Sequence, residues 1–227
     1  MSRLPPHLAL CALLLATVVD AAGRVPPSFD TGMRALTKGD YAIAYCDWLP
    51  LAERGYADAQ YHIGWLYANG NGLAVDIDQA LTWWGRAAGQ GHADAQFAVG
   101  LAYTTGEGMK KDLDEAVSWY LAAARQGHQD ARDILVRLNG DASIDLLAEH
   151  PELAAEEWFG WPAKINRDRI NLRNGPGTEH AVVTQLDKGT QLRVIGQRGD
   201  WLMVALAADG EQKVAWVYRA LVSNADG

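Results

Sequence analysis

The sequence predicts two folds in series: an α-solenoid of antiparallel helix pairs, then a small all-β barrel. Three observations carry this. A dense motif recurs at a spacing of 36 residues through the first half of the chain. Beyond Trp161 the pattern changes to short β-type runs cut by glycine turns. The formal charge steps at the same place: residues 22–160 hold 10 Lys/Arg against 20 Asp/Glu, and residues 161–227 hold 9 against 7.

The chain opens on what reads as a secretory signal over residues 1–21. Arg3 supplies the positive end, residues 8–19 form an uncharged, mostly apolar run, and Ala21 marks the cut. The run is too short to span a membrane, which takes ~20 residues, so no transmembrane span is expected. Export would place the protein in the periplasm or outside the cell. Cleavage would leave one cysteine, Cys46, and no intramolecular disulfide. Its expected role is a small buried apolar residue, with pairing between chains as the alternative.

Residues 22–140 hold the repeats. Ala59-Gln60, Gly64, Tyr67, Gly70, Gly72, Asp76, Ala80, Trp83, Ala87-Ala88 and Gly91-His92 match Ala95-Gln96, Gly100, Tyr103, Gly106, Gly108, Asp112, Ala116, Trp119, Ala123-Ala124 and Gly127-His128. Such a period signals stacked supersecondary units, each too small to bury its apolar face alone. Ala59, Ile63, Leu66 and Tyr67 share one helical face, as do Ala80, Trp83, Trp84, Ala87 and Ala88. Asp40, Asp76 and Asp112 are expected N-caps, the latter two with capping boxes through Gln79 and Glu115. Gly55, Gly91 and Gly127 are expected helix stops. The recurrent aromatics Tyr67, Tyr103, Trp83 and Trp119 are expected in the core.

These residues resemble the Sel1-like repeat family, relatives of the tetratricopeptide repeat. The resemblance covers roughly residues 30–138 and implies a right-handed superhelix that binds a protein partner on its concave surface. The chain lacks the paired cysteines that staple each repeat in some secreted members. One aromatic breaks the period: Trp65 stands where the next unit has Leu101. His62, Trp65 and Asn69 share a helical face and form a candidate partner-binding anchor. Packing of Trp65 under the N-terminal half-repeat is the competing role.

Residues 141–160 read as an acidic, partly helical linker, with six acids and no Lys or Arg between Asp141 and Glu157. Ile144, Leu147 and Ala148 suggest a short helix before Pro151, which would open a second short turn. From residue 161 to 227 five strands are expected, over residues 169–173, 181–186, 191–197, 201–206 and 213–218. Five short strands suggest a small barrel.

The string Asn171-Leu172-Arg173-Asn174-Gly175-Pro176-Gly177-Thr178, with Gly199-Asp200-Trp201 and Ala215-Trp216-Val217-Tyr218, closely resembles the bacterial SH3-type domain. The resemblance implies a module that holds exported proteins on peptidoglycan or binds peptides. Asn171, Arg173, Trp201, Trp216 and Tyr218 are its candidate ligand residues. Aromatic faces suit sugar rings and peptide stems, and Arg suits a carboxylate. The alternative for Trp201 and Trp216 is closure of the barrel ends.

A net charge of −8 argues against a nucleic-acid partner. No catalytic constellation, metal-ligand spacing or phosphate loop is present in the sequence, so no catalytic residue, metal or cofactor is expected. The sequence therefore predicts a non-catalytic bacterial adaptor. An accessory subunit or weak hydrolase of cell-wall metabolism, and a secreted factor aimed at a host or competitor protein, stand as alternatives.

Overall fold

The 36-residue period becomes a run of packed helices. The structure is a computed structural model and describes residues 28–139, 141, 144–208 and 211–224. The expected leader and its cut after Ala21 lie outside the described residues. Helices α1 (Phe29–Lys38), α2 (Tyr41–Glu53), α3 (Ala57–Asn69), α4 (Ile77–Gly89), α5 (Ala93–Thr105), α6 (Leu113–Arg125) and α7 (Gln129–Asn139) follow in order. Each of the first five packs on its successor. The chain divides into two compact units after Ala131.

The helix ends form largely where the sequence places them. Asp76 Oδ1 accepts from the Gln79 amide at 3.0 Å, and Asp112 Oδ1 from the Glu115 amide at 3.1 Å. Asp40 precedes α2 without a side-chain cap bond. Gly55, Gly91 and Gly127 adopt φ of 95°, 90° and 93°, the left-handed region that ends a helix without a Cβ penalty. Two caps were not foreseen. His92 Nδ1 accepts from the Ala95 amide at 3.2 Å and His128 Nδ1 from the Ala131 amide at 3.3 Å. A ring nitrogen that accepts carries no proton, so each Nε2 carries it. That Nε2 faces an aspartate 34 residues earlier, Asp58 at 3.3 Å and Asp94 at 3.2 Å.

Carboxamides link successive units in the same way. Buried Gln60 donates to the Ala52 carbonyl at 3.0 Å and accepts from Gln90 at 2.7 Å. Gln96 repeats this with Ala88 at 3.3 Å and Gln126 at 2.8 Å. Close approach depends on two glycines. A Cβ at Gly64 would lie 2.6 Å from the Trp84 ring, and one at Gly100 would lie 2.8 Å from the Tyr120 ring. Tyr120 is fully buried, while Trp119, expected in the core, is only half-buried beside it. Trp83 is buried and Tyr103 half-buried. At the N-terminal end, Trp48 and Tyr45 are buried, and the Tyr45 and Tyr67 hydroxyls meet at 3.1 Å. Burial, then the bond to Tyr67, pushes the Tyr45 pKa up.

Cys46 corrects an expectation. It is buried at 5% exposure, as expected, but it is disulfide-bonded rather than a lone thiol.

In the second unit seven antiparallel strands form one sheet: β1 (Trp161–Ile165), β2 (Ile170–Arg173), β3 (Val182–Leu186), β4 (Gln191–Arg198), β5 (Trp201–Ala208), β6 (Glu211–Tyr218) and β7 (Val222–Asn224). Their order is β3-β2-β6-β5-β4-β1-β7. The five expected strands are present. The two that sequence reading missed, β1 and β7, pair with each other through Ile165 and Val222. They are short, and Pro162 weakens the strand signature of β1. Ile165, Leu172, Val194, Val204 and Val217 fill the interior.

The acidic stretch is a packed part of this unit. It forms α8 (Leu146–Glu149) and a 3-10 turn over Pro151–Ala155. Leu146, Leu153 and Phe159 are almost wholly buried. The expected apolar face was Ile144, Leu147 and Ala148, yet Leu146 is the residue turned inward and Ala148 is exposed. Arg193 on β4 donates to the Ala154 carbonyl at 2.7 Å and also to the Glu156 carbonyl. Burial lowers the Arg193 pKa, opposed by Glu157 and Glu156. Arg198 reaches Asp145 at 2.9 Å.

Candidate ligand groove

The second unit carries an open groove of about 780 Å³. Its floor and one wall come from β2, β5 and β6; the other wall is the turn over residues 174–180 that follows β2. Side chains alternate across a strand. With Ile170 and Leu172 inside, Asn171 and Arg173 therefore face outward toward this groove. Trp201 and Tyr218 sit opposite each other in the β5–β6 register. Their rings meet edge to face with centroids 5.8 Å apart, and Tyr218 is 42% exposed. A half-buried Trp201 and an exposed Tyr218 beside guanidinium groups offer stacking surface and anion-binding donors together.

The turn is held by one of the candidate residues. Arg173 Nη1 donates to the His180 carbonyl at 2.6 Å, and the Asn174 amide donates to the Ala181 carbonyl at 3.0 Å. A side chain at Gly175 would collide with the His180 ring. Glu179, the groove's one carboxylate, lies 3.4 Å from His180 Nε2. Asn171 Oδ1 accepts from Gln185 at 3.0 Å.

Of the five ligand candidates, Asn171, Arg173, Trp201 and Tyr218 line this groove. Trp216 does not. It is 9% exposed, lies beside Leu147 and Met203 on the side lined by α8, and has the Arg198 guanidinium 5.9 Å from its ring. Alternation puts Trp216 on the outer face, opposite Met203 in the β5–β6 register. The packed acidic stretch then closes that part of the face. Among the lining residues that sequence reading missed are two charged ones, Arg169 from the turn before β2 and Glu179 from the turn after it.

The partner candidates lie on α3 in the first unit. Asn69 is exposed, and its Nδ2 donates to the Trp65 carbonyl at 2.8 Å. His62 stacks on Trp48 with centroids 4.5 Å apart, and it contacts Phe29 and Tyr61. Trp65 is half-buried against the N-terminal core. Only Asn69 of the three is freely exposed. In the next unit Leu101 is 43% exposed at the position equivalent to Trp65.

Among the described residues no group of three or more His, Cys, Asp or Glu is placed to hold a metal ion. No helix among them is long and apolar enough to cross a membrane.

Comparison with known proteins follows these boundaries. The Sel1 repeat family matches residues 57–92 and 93–128, and the bacterial SH3 domain family matches residues 168–223. The chain carries Sel1 repeats followed by a bacterial SH3 domain. Over 64 residues it is 30% identical to the Bacillus subtilis (strain 168) protein named "Putative N-acetylmuramoyl-L-alanine amidase YrvJ". That segment is 28% of this chain and 12% of the relative. Among solved structures, a Sel1 repeat protein from Oxalobacter formigenes is 35% identical, with 49% of this chain and 46% of that one covered and a TM-score of 0.48. The protective antigen c5321 of uropathogenic Escherichia coli is 31% identical over 49% of this chain and 25% of its own, with a TM-score of 0.47. The chain thus spans less than half the length of each of these proteins. Sel1 repeats and bacterial SH3 domains are binding modules.

Proposed function

We propose that the protein is an exported, non-catalytic adaptor whose SH3 domain holds cell-wall peptidoglycan while its Sel1 repeats hold a protein partner. The observation that carries this is the groove. Trp201, Tyr218, Asn171 and Arg173 come from three strands to line one open concavity within the SH3 domain. An aromatic floor accepts the apolar faces of a sugar ring or peptide stem, and the flanking donors fix its polar groups. The amidase-named relative supports a wall-associated role, and it also supports a second reading as an accessory to a wall-cleaving enzyme. On the repeats, the period-breaking Trp65 with His62 and Asn69 is the proposed partner surface.

The test is co-sedimentation of the whole exported chain with purified peptidoglycan. Retention is expected to persist at moderate salt, because stacking and hydrogen bonds carry it and screening weakens only exposed charge pairs. Trp201→Ala should release the protein while leaving its melting temperature unchanged. Trp216→Ala should act mainly on stability. Absence of the wild-type chain from the peptidoglycan pellet would refute the wall-binding role.

A further inference from the structure

Arg169 carries an unusual combination of features. It is the only non-glycine among the described residues with a positive φ, 53°. Left-handed backbone is costly for a long side chain and persists only where surroundings hold it. Here the holding bonds are on both sides of the residue. Its amide donates to Asp187 Oδ1 at 3.1 Å, and its carbonyl accepts from Gln185 at 3.4 Å. Asp168, its neighbour, caps the facing turn by accepting from the Lys188 amide at 3.1 Å. The side chain so placed is exposed and lines the groove. Its guanidinium has no hydrogen bond or ion pair within the described residues.

Arg173 is in a different situation. It is half-buried, and one of its nitrogens is engaged with the His180 carbonyl, bracing the turn that forms the groove wall. The groove therefore has one arginine committed to its own architecture and one presented unpaired beside the Trp201–Tyr218 floor.

We infer that Arg169 is the anion-reading residue of this groove, its ligand group being a carboxylate of the wall's stem peptide, and that Arg173 is a positioning residue. Guanidinium and carboxylate match as two parallel hydrogen bonds, which gives orientation as well as attraction. The apolar part of the same peptide lies over Trp201 and Tyr218. Glu179 on the opposite wall, beside His180, disfavours a second carboxylate there and sets the direction of the chain. This inference rests on the wall-binding reading above.

The test uses the full chain and muropeptides released from purified peptidoglycan, as isolated and after carbodiimide-mediated amidation of their carboxylates. Affinity is read by titration calorimetry. Amidation should weaken binding to the wild-type chain about fivefold, the scale of one charge-assisted pair at a partly solvated site. Arg169→Asn is the informative variant, since asparagine tolerates left-handed backbone. It should lose the same factor, show no further loss on amidation, and melt as wild type does. Arg173→Lys should weaken both ligand forms alike, keeping the amidation ratio. Wild-type binding that is indifferent to amidation, or an Arg169→Asn variant that keeps the full amidation effect, overturns the assignment while leaving wall binding intact. Failure of the wild-type chain to bind any muropeptide overturns both. Tighter binding to an acidic peptide unrelated to the wall would assign the groove to a protein ligand instead.

Discussion

The repeat unit states every structural device twice, whereas the SH3 unit states each one once. Gly64 lies under Trp84 as Gly100 lies under Tyr120, and Gln60 bridges to Gln90 as Gln96 bridges to Gln126. In the SH3 unit, by contrast, the groove draws on residues from Arg169 to Leu221 with no internal copy. Duplication makes a role legible, because a residue type kept at two equivalent positions has the same job in both. Where only one copy exists, role depends on what packs against it. Trp201 and Trp216 both point outward from the barrel, yet one lines an open groove and the other is covered.

The comparison breaks most readily at the acidic stretch, which precedes the strands in sequence and packs with them in the second unit. A fragment of residues 161–227 lacks Leu146, Leu153 and Phe159, each nearly fully buried. Their contribution is about 1.5–3 kcal/mol per side chain. That fragment should therefore unfold at far lower urea than one spanning residues 132–227; equal midpoints would show the stretch to be dispensable. Next in size, Tyr120→Ala should cost ~3–5 kcal/mol in chemical denaturation, because it removes a buried ring and its bond to Thr104. Half-buried Trp119→Ala should cost only ~1–2 kcal/mol. The reverse order would return Trp119 to the core role its period suggests. Gln96→Ala should cost about 1–3 kcal/mol, since the buried Ala88 carbonyl loses its side-chain donor. A matching loss in Gln60→Ala, read in the same assay, would show that the two linkages are equivalent.

The smallest effect concerns pH. Burial lowers the His62 pKa below its ordinary 6.5, reinforced by His92 and opposed by Asp58 and Asp94. Phe29, Trp48 and Tyr61 supply the surrounding rings. The folded state thus holds this ring neutral, while the unfolded chain takes up a proton near 6.5. Stability from this source is complete above that value and falls as pH drops through it toward the folded pKa. His62→Gln should flatten that part of the urea-midpoint profile; an unchanged profile would assign the slope to other groups.

How much was readable from sequence follows the same division. Helix order, glycine stops and the aspartate caps at Asp76 and Asp112 were legible because they repeat. Deviations from the period were less so: Tyr120 stands where the preceding unit has Trp84, so the buried position was assigned to the strictly recurrent Trp119 instead. His92 and His128 were seen to recur, yet capping by an imidazole nitrogen has no strong residue signature. In the SH3 unit, the family motif singled out Asn171 and Arg173, and both line the groove. No pattern could show that α8 would shield Trp216. Arg169 was missed because a left-handed arginine is invisible to propensity; the Asp187 carboxylate that holds it comes from 18 residues away.

The paired carboxamides have a consequence for how such a chain changes length. Gln96 meets Ala88 and Gln126 as Gln60 meets Ala52 and Gln90. Excising residues 57–92 would bring Gln96 to the place of Gln60, with Ala52 as its acceptor and Gln126 still its donor. Asp94 would keep His128, and Gly100 would keep Tyr120. The contacts at the new junction are those already made elsewhere, so the array can shorten or grow by whole units without inventing an interface. A shift by any other number of residues would misalign all of them at once.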